Sequence, residues 1–150
     1  YQFEGAEGSL RLLITETVGG RSEPFSCSGF RVSIDNLSGQ FLSKASVKVR
    51  VDGQEENVVA NGNGPVHALD RAVKKAVARF FSEAECIRLT DYKVRVLDAR
   101  DGTGAQVRVL IESTDGEQTW STVGVSHNVI EASWTAIIDS IRYKLLFLTS

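Results

Sequence analysis

Alternation of apolar and polar residues predicts three β-strands in the first half of the chain. The apolar positions recur at every second residue and are rich in β-branched side chains, which is typical of strands with one buried face. They are Phe30, Val32 and Ile34, then Val47, Val49 and Val51, then a short strand at Val58-Val59. Ser38-Gly39 and Asp52-Gly53 separate the three strands and predict tight turns.

The second half of the chain repeats this pattern, although few residues are identical. The matching segments are Phe30–Asn36 with Tyr92–Asp98 at an offset of 62, Val47–Val51 with Val107–Ile111 at 60, and Ala68–Val73 with Ala132–Ile137 at 64. A third strand is predicted from Trp120 to Val123, and turns are predicted at Asp101-Gly102 and Asp115-Gly116. The offset changes by only a few residues, so the repeat spans three strands and a helix.

Each copy ends in a predicted amphipathic helix. The helical positions are Val66, Leu69, Val73, Ala76, Val77 and Phe80 in the first copy, and Ile130, Trp134, Ile137, Ile138, Ile141 and Leu145 in the second. We therefore predict an α+β fold of two pseudo-repeated βββα units, in which antiparallel sheets carry helices on one face.

The predicted organisation places unit one at about residues 24–83 and unit two at about residues 86–148, within a domain of residues 24–150. Residues 7–18 form a separate short helix in this prediction, and residues 19–25 form a linker. We expect residues 1–20 to be the tail of a preceding linker or subdomain.

Composition and charge exclude several function classes. The apolar fraction of 42% and charged fraction of 24% are typical of a soluble, globular domain. A net charge of −2 argues against a nucleic-acid partner, and no apolar run is long enough to predict a membrane partner. No signal peptide is visible at the start of the sequence. Cys27 and Cys86 match no metal-binding spacing, and we expect two reduced thiols in a cytoplasmic protein.

The entrances to the two predicted helices are the sharpest local features. Gly62-Asn63-Gly64-Pro65 leads into the first helix, where glycines allow positive φ or close backbone approach and Pro65 suits the first turn. The outward N–H groups of such a helix can hold a carboxylate, but the same residues also describe a simple tight turn. Asn128 is predicted to cap the second helix, with Glu131 reaching back as a capping box.

No catalytic constellation is found in the sequence. His67 and His127 lack a Cys, Asp or Glu cluster, so we predict no metal site. No nucleophile elbow, phosphate loop or dinucleotide fingerprint is present. We therefore expect no enzymatic activity from this chain alone.

Several motifs, in order, resemble the C-terminal regulatory domain of the α-isopropylmalate synthase family. They are Val47–Gly53, Gly62–Pro65 and Ala68–Arg71 in the first half, and Asp91–Asp98, Thr122–Ser126, Ile130–Trp134 and Asp139-Ser140 in the second. The resemblance covers nearly the whole chain and is strongest to the citramalate synthase branch. It implies a homodimeric domain that binds the end-product amino acid of its pathway as feedback inhibitor, isoleucine in the citramalate branch or leucine in the isopropylmalate branch.

The resemblance also implies a parent acyltransferase that condenses acetyl-CoA with a 2-oxo acid, pyruvate in the citramalate branch. Its catalytic barrel needs a divalent metal and would be a partner within the same parent chain. The barrel's His-x-His metal pair is absent from this sequence, so no cofactor is expected in this domain. Two hypotheses of a different class stay open at this point: a module that resembles double-stranded RNA-binding domains, and a bare dimerisation domain.

In relatives the branched-chain amino acid effector sits between the two units, near the dimer interface. The resemblance places the effector-binding residues at ten positions of this sequence. They are Asn63, Gly64, Val66, His67, Leu89, Tyr92, Val96, Val107, His127 and Val129. In this prediction the helix entrance holds the α-carboxylate, the aliphatic residues enclose the side chain, and Tyr92 offers its ring and hydroxyl.

Overall fold

A computed structural model of the chain describes residues 6–19, 24–97 and 105–148. The chain divides into two compact units, which we call the first unit (residues 23–85) and the second unit (residues 1–22 with 86–150). The elements are α1 Glu7–Gly19, β1 Ser26–Leu37, β2 Gln40–Val51, β3 Gln54–Gly62, α2 Pro65–Ala78, a 3₁₀ helix Ser82–Cys86, β4 Arg88–Leu97, β5 Gln106–Thr114, β6 Thr119–Ser126 and α3 Val129–Phe147.

Each unit contains one three-stranded antiparallel sheet, in the order β1-β2-β3 or β4-β5-β6. Helix α2 packs on β2 and β3, and α3 packs on β5 and β6. The predicted α+β fold of two βββα units with helices on one face of each sheet is therefore confirmed. None of the described helices is long and apolar enough to cross a membrane.

The hairpin turns of the first sheet have the predicted chemistry. Ser38 and Gly39 have φ angles of 53° and 81°, and Asp52 and Gly53 have φ angles of 48° and 82°. Two consecutive positive φ angles give a hairpin turn whose twist matches that of the flanking strands. In the second sheet Gly116 also has a positive φ, of 97°. The turn predicted at Asp101-Gly102 lies outside the described residues.

The third strand of each sheet is longer than the sequence predicted. The strand predicted at Val58-Val59 is present, but its predicted short length is wrong, because β3 runs over nine residues. Its polar first half pairs with β2, for example Glu55 with Arg50, and the apolar pattern could not reveal it. Strand β6 likewise extends beyond Trp120–Val123 on both sides.

The strand registers correct the alignment of the internal repeat. Phe30 pairs with Val47, and Tyr92, its equivalent at an offset of 62, pairs with Ile111. Val47 is therefore equivalent to Ile111, so the offset in the second strand is 64 and the predicted 60 is wrong. A four-residue slip keeps every side chain on the same sheet face, so alternation alone could not detect it.

A β-bulge at the same place in both units supports the repeat. The register shifts between Cys27 and Gly29 in β1 and between Leu89 and Asp91 in β4. The extra residue, Ser28 or Thr90, bends the strand and moves the following side chains by one position. The two bulges are 62 residues apart, which is the offset of the first strands.

In each unit, the close packing of the helix on the sheet requires a glycine. A Cβ on Gly62 would overlap the backbone of Ala68 in α2, and a Cβ on Gly124 would overlap the carbonyl oxygen of Ala132 in α3. The helices can lie this close because the glycines leave the space free. Leu69 and Ile137 are among the largest fully buried side chains of the cores that result.

Helix α1 packs on the second unit, against β6 and α3. The Ser9 hydroxyl accepts a hydrogen bond from the Val123 N–H at 2.8 Å, and it lies 3.5 Å from the Val123 carbonyl. The guanidinium of Arg11 lies 4.0 Å from the ring centre of Phe147. The helix predicted over residues 7–18 is confirmed, and it covers the outer edge of β6. The origin of residues 1–20 in a preceding linker stays a prediction.

A shielded ion pair ties the β5–β6 turn to α3. Lys144 Nζ lies 2.7 Å from Asp115 Oδ2, and the two side chains are 10% and 6% exposed. The hydrogen bond from Lys144, with N–H donors of Gln118 and Glu117, lowers the pKa of Asp115 from 3.8 to about 2. The same hydrogen bond raises the pKa of Lys144. The pair therefore stabilises the fold in its charged form.

Candidate functional site

The entrance of α2 brings together four of the predicted residues: Asn63, Gly64, Val66 and His67. Gly64 is the N-cap in an extended conformation, and Pro65 starts the helix, as predicted. His67 Nδ1 accepts a hydrogen bond from the Asn63 N–H at 3.0 Å, which fixes the loop against the first helical turn. Gly62 and Gly64 do not use the positive φ that the sequence suggested; Gly62 is needed for close approach.

No side chain of the described residues caps the α2 entrance. The N–H groups of the first turn lack an intrahelical partner in any α-helix, and they carry partial positive charge. Since Pro65 has no N–H, the outward donors belong to Val66 and His67. Two adjacent backbone donors at a helix N-terminus are suited to a carboxylate.

The entrance of α3 is built differently. The predicted cap is confirmed, because Asn128 Oδ1 accepts from the Ile130 N–H at 2.7 Å and from the Glu131 N–H at 3.3 Å. The predicted capping box is wrong. Glu131 accepts a hydrogen bond from the Ser126 hydroxyl, and that hydroxyl accepts from the Asn128 N–H. The hydroxyl stands between the two groups that a capping box would join, so this helix end satisfies its own donors.

Strand β4 places three predicted residues on one face of its sheet. Leu89 pairs with Ser113, Tyr92 with Ile111 and Val96 with Val107, all on the side that faces α3. Leu89 and Tyr92 are three residues apart, so only the bulge at Thr90 brings them to the same face. Leu89 lies at the opposite end of the strand from Val96.

The hydroxyl of Tyr92 is held near the N-terminus of α3. It lies 2.8 Å from the Ser133 hydroxyl, which donates to the Val129 carbonyl at 2.7 Å. Because Ser133 has one proton to donate, Tyr92 is the donor in the bond between them. The hydroxyl of Tyr92 is therefore engaged within the domain, and only its ring is available to contact a ligand. Ser133 positions Tyr92, and the sequence did not reveal this role.

The remaining predicted residues lie around the entrance of α3. Val107 pairs with Ser126, the residue before His127, and His127 Nδ1 lies 3.1 Å from the Ala105 carbonyl. Val129 opens the helix and is 38% exposed. Tyr92, Val96, Val107, His127 and Val129 thus surround one end of the second sheet.

The main chemical feature of this end is an exposed apolar strip, which includes Val94 and Val96. Helix α3 packs on β5 and β6 and leaves β4 open, so Val96 is 69% exposed and Val94 is 47% exposed. Val94 was missed in the prediction, although the alternation Tyr92-Val94-Val96 already placed it on this face. Exposed apolar patches of this kind mark interaction sites. In the described part of the chain, no group of three His, Cys, Asp or Glu side chains could hold a metal ion.

Comparison with known proteins gives a family match over most of the chain. Residues 4–145 match the LeuA allosteric (dimerisation) domain. The chain is 49% identical to the (R)-citramalate synthase of Geobacter sulfurreducens and 50% identical to that of Aquifex aeolicus, in each case over 97% of the chain and 28% of the relative. It is 35% identical to the 2-isopropylmalate synthase of Shewanella sediminis over 71% of the chain and 18% of that relative. The chain spans about 28% of the length of the citramalate synthases it matches.

Proposed function

Because the chain belongs to the LeuA allosteric (dimerisation) domain family, we propose that it is the regulatory domain of a citramalate synthase and binds isoleucine as feedback inhibitor. The observation that carries this proposal is the higher identity to citramalate synthases, 49% and 50% against 35% for the 2-isopropylmalate synthase. The parent enzyme would condense acetyl-CoA with pyruvate in a catalytic barrel outside these residues, and the barrel would hold the divalent metal.

The α2 entrance supports the binding of an amino acid carboxylate. Among the residues described, the donors of Val66 and His67 have no side-chain cap to compete with, whereas the donors at the α3 entrance are taken by Asn128. We therefore assign the carboxylate to Asn63, Gly64, Val66 and His67. The two helix entrances thus have different proposed roles: the α2 entrance would bind the carboxylate, and the α3 entrance would not. The sequence alone did not distinguish them.

The apolar strip of the second unit supports the binding of an aliphatic side chain. Val96, Val107 and Val129 supply branched aliphatic surface, and Tyr92 supplies its ring because its hydroxyl is bound to Ser133. Burying this surface under a branched ligand removes apolar area from water, which is worth roughly 25 cal/mol per Å². His127 completes the proposed set at the Val96 end of the strip, and Leu89 stays in it as a prediction at the opposite end of β4.

Feedback inhibition follows if isoleucine favours one conformation of the parent enzyme. A ligand shifts a conformational equilibrium only by its difference in affinity for the two states. We propose that the domain works as a homodimer in the cytoplasm. A 2-isopropylmalate synthase domain that binds leucine is the second candidate, because three relatives of that name match with 29–35% identity.

Substitution of Val96 tests the proposed site. Val96→Asn replaces an exposed aliphatic side chain with a polar one of similar size, so it should weaken isoleucine binding at least tenfold in isothermal calorimetry with little change in stability. Ile34→Asn is the matched control, since Ile34 is the equivalent residue of the first unit and is 55% exposed. Equal affinities of wild type and the Val96 variant would remove Val96 from the site, and equal losses in both variants would show a non-specific effect.

A further inference from the structure

A surface that is covered in the second unit is open at the equivalent position of the first unit. In the second unit α1 lies along the outer edge of β6, where Ser9 binds the backbone of Val123, and Val123 is 3% exposed. Val59 is the equivalent of Val123 at the offset of 64, and it is 50% exposed. The first unit therefore lacks, among its described residues, a helix in the place that α1 takes in the second.

The edge of β3 offers the same backbone groups that α1 uses on β6. Ser9 binds the outward N–H of Val123, so the equivalent N–H of Val59 also points away from the sheet. Two residues along the edge, the Asn61 carbonyl accepts a hydrogen bond from Arg71 at 3.1 Å. Backbone groups two residues apart on an edge strand point the same way. No residue that the structure describes pairs with this edge at Val59, so we treat it as open for pairing.

The charges beside this edge differ from those beside α1. Thr135 and Asp139 line one groove with the α1 residues Ser9, Leu12 and Leu13. Their equivalents in the first unit are Arg71 and Lys75. Tyr143, which accepts a hydrogen bond from Arg11 of α1, corresponds to Arg79. Three residues that contact or line the α1 site in the second unit therefore have basic equivalents in the first unit.

Two of these basic side chains, Arg71 and Lys75, have no carboxylate partner among the residues that the structure describes. Arg79 is paired with Glu56 at 3.1 Å, and Lys74 is paired with Asp70 at 2.9 Å. Arg71 binds a backbone carbonyl, and Lys75 forms no ion pair with a carboxylate of the described residues. Lys75 and Arg79 line an open groove of about 460 Å³ with Lys74, Ala78 and Glu85. A segment that enters this surface would meet an apolar edge beside basic side chains.

We propose that this surface, which we call the β3 docking strip (Val59, Asn61, Arg71, Lys75 and Arg79), binds an acidic amphipathic helix from the part of the parent enzyme outside these residues. A helix suits this surface because α1 occupies the equivalent surface of the second unit. An acidic helix suits it because Arg71 and Lys75 stand where the second unit has Thr135 and Asp139. This inference shares one premise with the proposed function, namely that the domain is part of a longer parent enzyme.

Amide hydrogen exchange tests the docking strip in the proposed parent enzyme and in the 150-residue chain. Peptides that cover β3 should exchange at least tenfold more slowly at Val59 in the parent enzyme. Val59→Asp and Lys75→Glu should each abolish this protection. Leu42→Asp is the matched control, because Leu42 is also 50% exposed but lies on the central strand, and it should leave the protection unchanged.

Three results would overturn the inference. These are equal exchange at Val59 in the two proteins, protection that survives both charge substitutions, and protection that appears in the isolated chain only as its concentration rises. The last result would identify a second copy as the occupant. Isoleucine binding to the isolated chain is measured separately, so loss of that binding would refute the proposed function without bearing on the strip.

Discussion

Replacing Asp115 by Asn should make the stability of the domain lose part of its acid dependence. The N–H groups of Glu117 and Gln118 donate to Oδ1 of Asp115. The amide oxygen of Asn would still accept these two hydrogen bonds. The substitution would remove the charge that faces Lys144 through Oδ2. The pKa of Asp115 is lowered from 3.8 to about 2. One pKa unit corresponds to about 1.4 kcal/mol, so ionisation of Asp115, with Lys144 as the largest cause of the shift and the two N–H donors as further causes, stabilises the fold by roughly 2 kcal/mol.

The sign of the pH dependence follows from the direction of the shift. Because the folded pKa is depressed, this stabilisation is fully present above pH 3.8 and is lost as the pH falls toward 2. Lys144 acts at the opposite end of the pH scale. Because its pKa is raised above the ordinary value of 10.5, its contribution to stability is present below pH 10.5 and is lost as the pH rises further. Both side chains are shielded, at 10% and 6% exposure, so solvent screens the pair less than a surface pair.

Urea unfolding between pH 2 and pH 7 measures the effect. The free energy of unfolding of the wild type should exceed that of Asp115→Asn by roughly 2 kcal/mol at pH 7, and the two should converge near pH 2. Asp91→Asn is the control, because Asp91 and Lys93 lie 3.6 Å apart with side chains 48% and 69% exposed; it should cost less than about 0.5 kcal/mol. Parallel curves for wild type and Asp115→Asn over the whole range would refute the reasoning.

Two further predictions concern the way each helix is seated. Gly124→Ala would place a Cβ on the Ala132 carbonyl oxygen, so thermal or urea unfolding should show a loss of about 1–3 kcal/mol, whereas Gly29→Ala, with nothing within 4 Å of its Cβ, should show little change. Asn128→Ala removes the acceptor of two N–H groups and should cost about 1 kcal/mol; an unchanged free energy of unfolding would mean that water replaces the cap.

The sequence revealed those elements whose signal is local. Alternation located the six strands because one face of each sheet is apolar, and the glycine-containing turns at Gly39, Gly53 and Gly116 located three of the hairpins. The first half of β3 was missed because Gln54–Asn57 is polar and its pairing partner lies on another strand. The four-residue slip in the second strand arose because alternation with period two cannot fix a register.

The candidate site was predictable only in part. The bulge at Thr90 has no sequence signal, yet it decides which residues share the face of Tyr92. Side-chain hydrogen bonds were equally hidden: the Ser126 hydroxyl stands in the predicted capping box, and Ser133 takes the hydroxyl of Tyr92. The position of α1 on β6 also depends on contacts with residues more than a hundred positions away, which no local pattern encodes.

Calorimetric titration of the wild-type chain with isoleucine and with leucine tests the central claim most directly. We expect saturable binding of isoleucine and at least tenfold weaker binding of leucine, since rearranging one methyl group in a fitted pocket is worth about 1–3 kcal/mol. Absence of saturable isoleucine binding would contradict the proposal. Tighter binding of leucine would also contradict it and would assign the domain to the 2-isopropylmalate synthases.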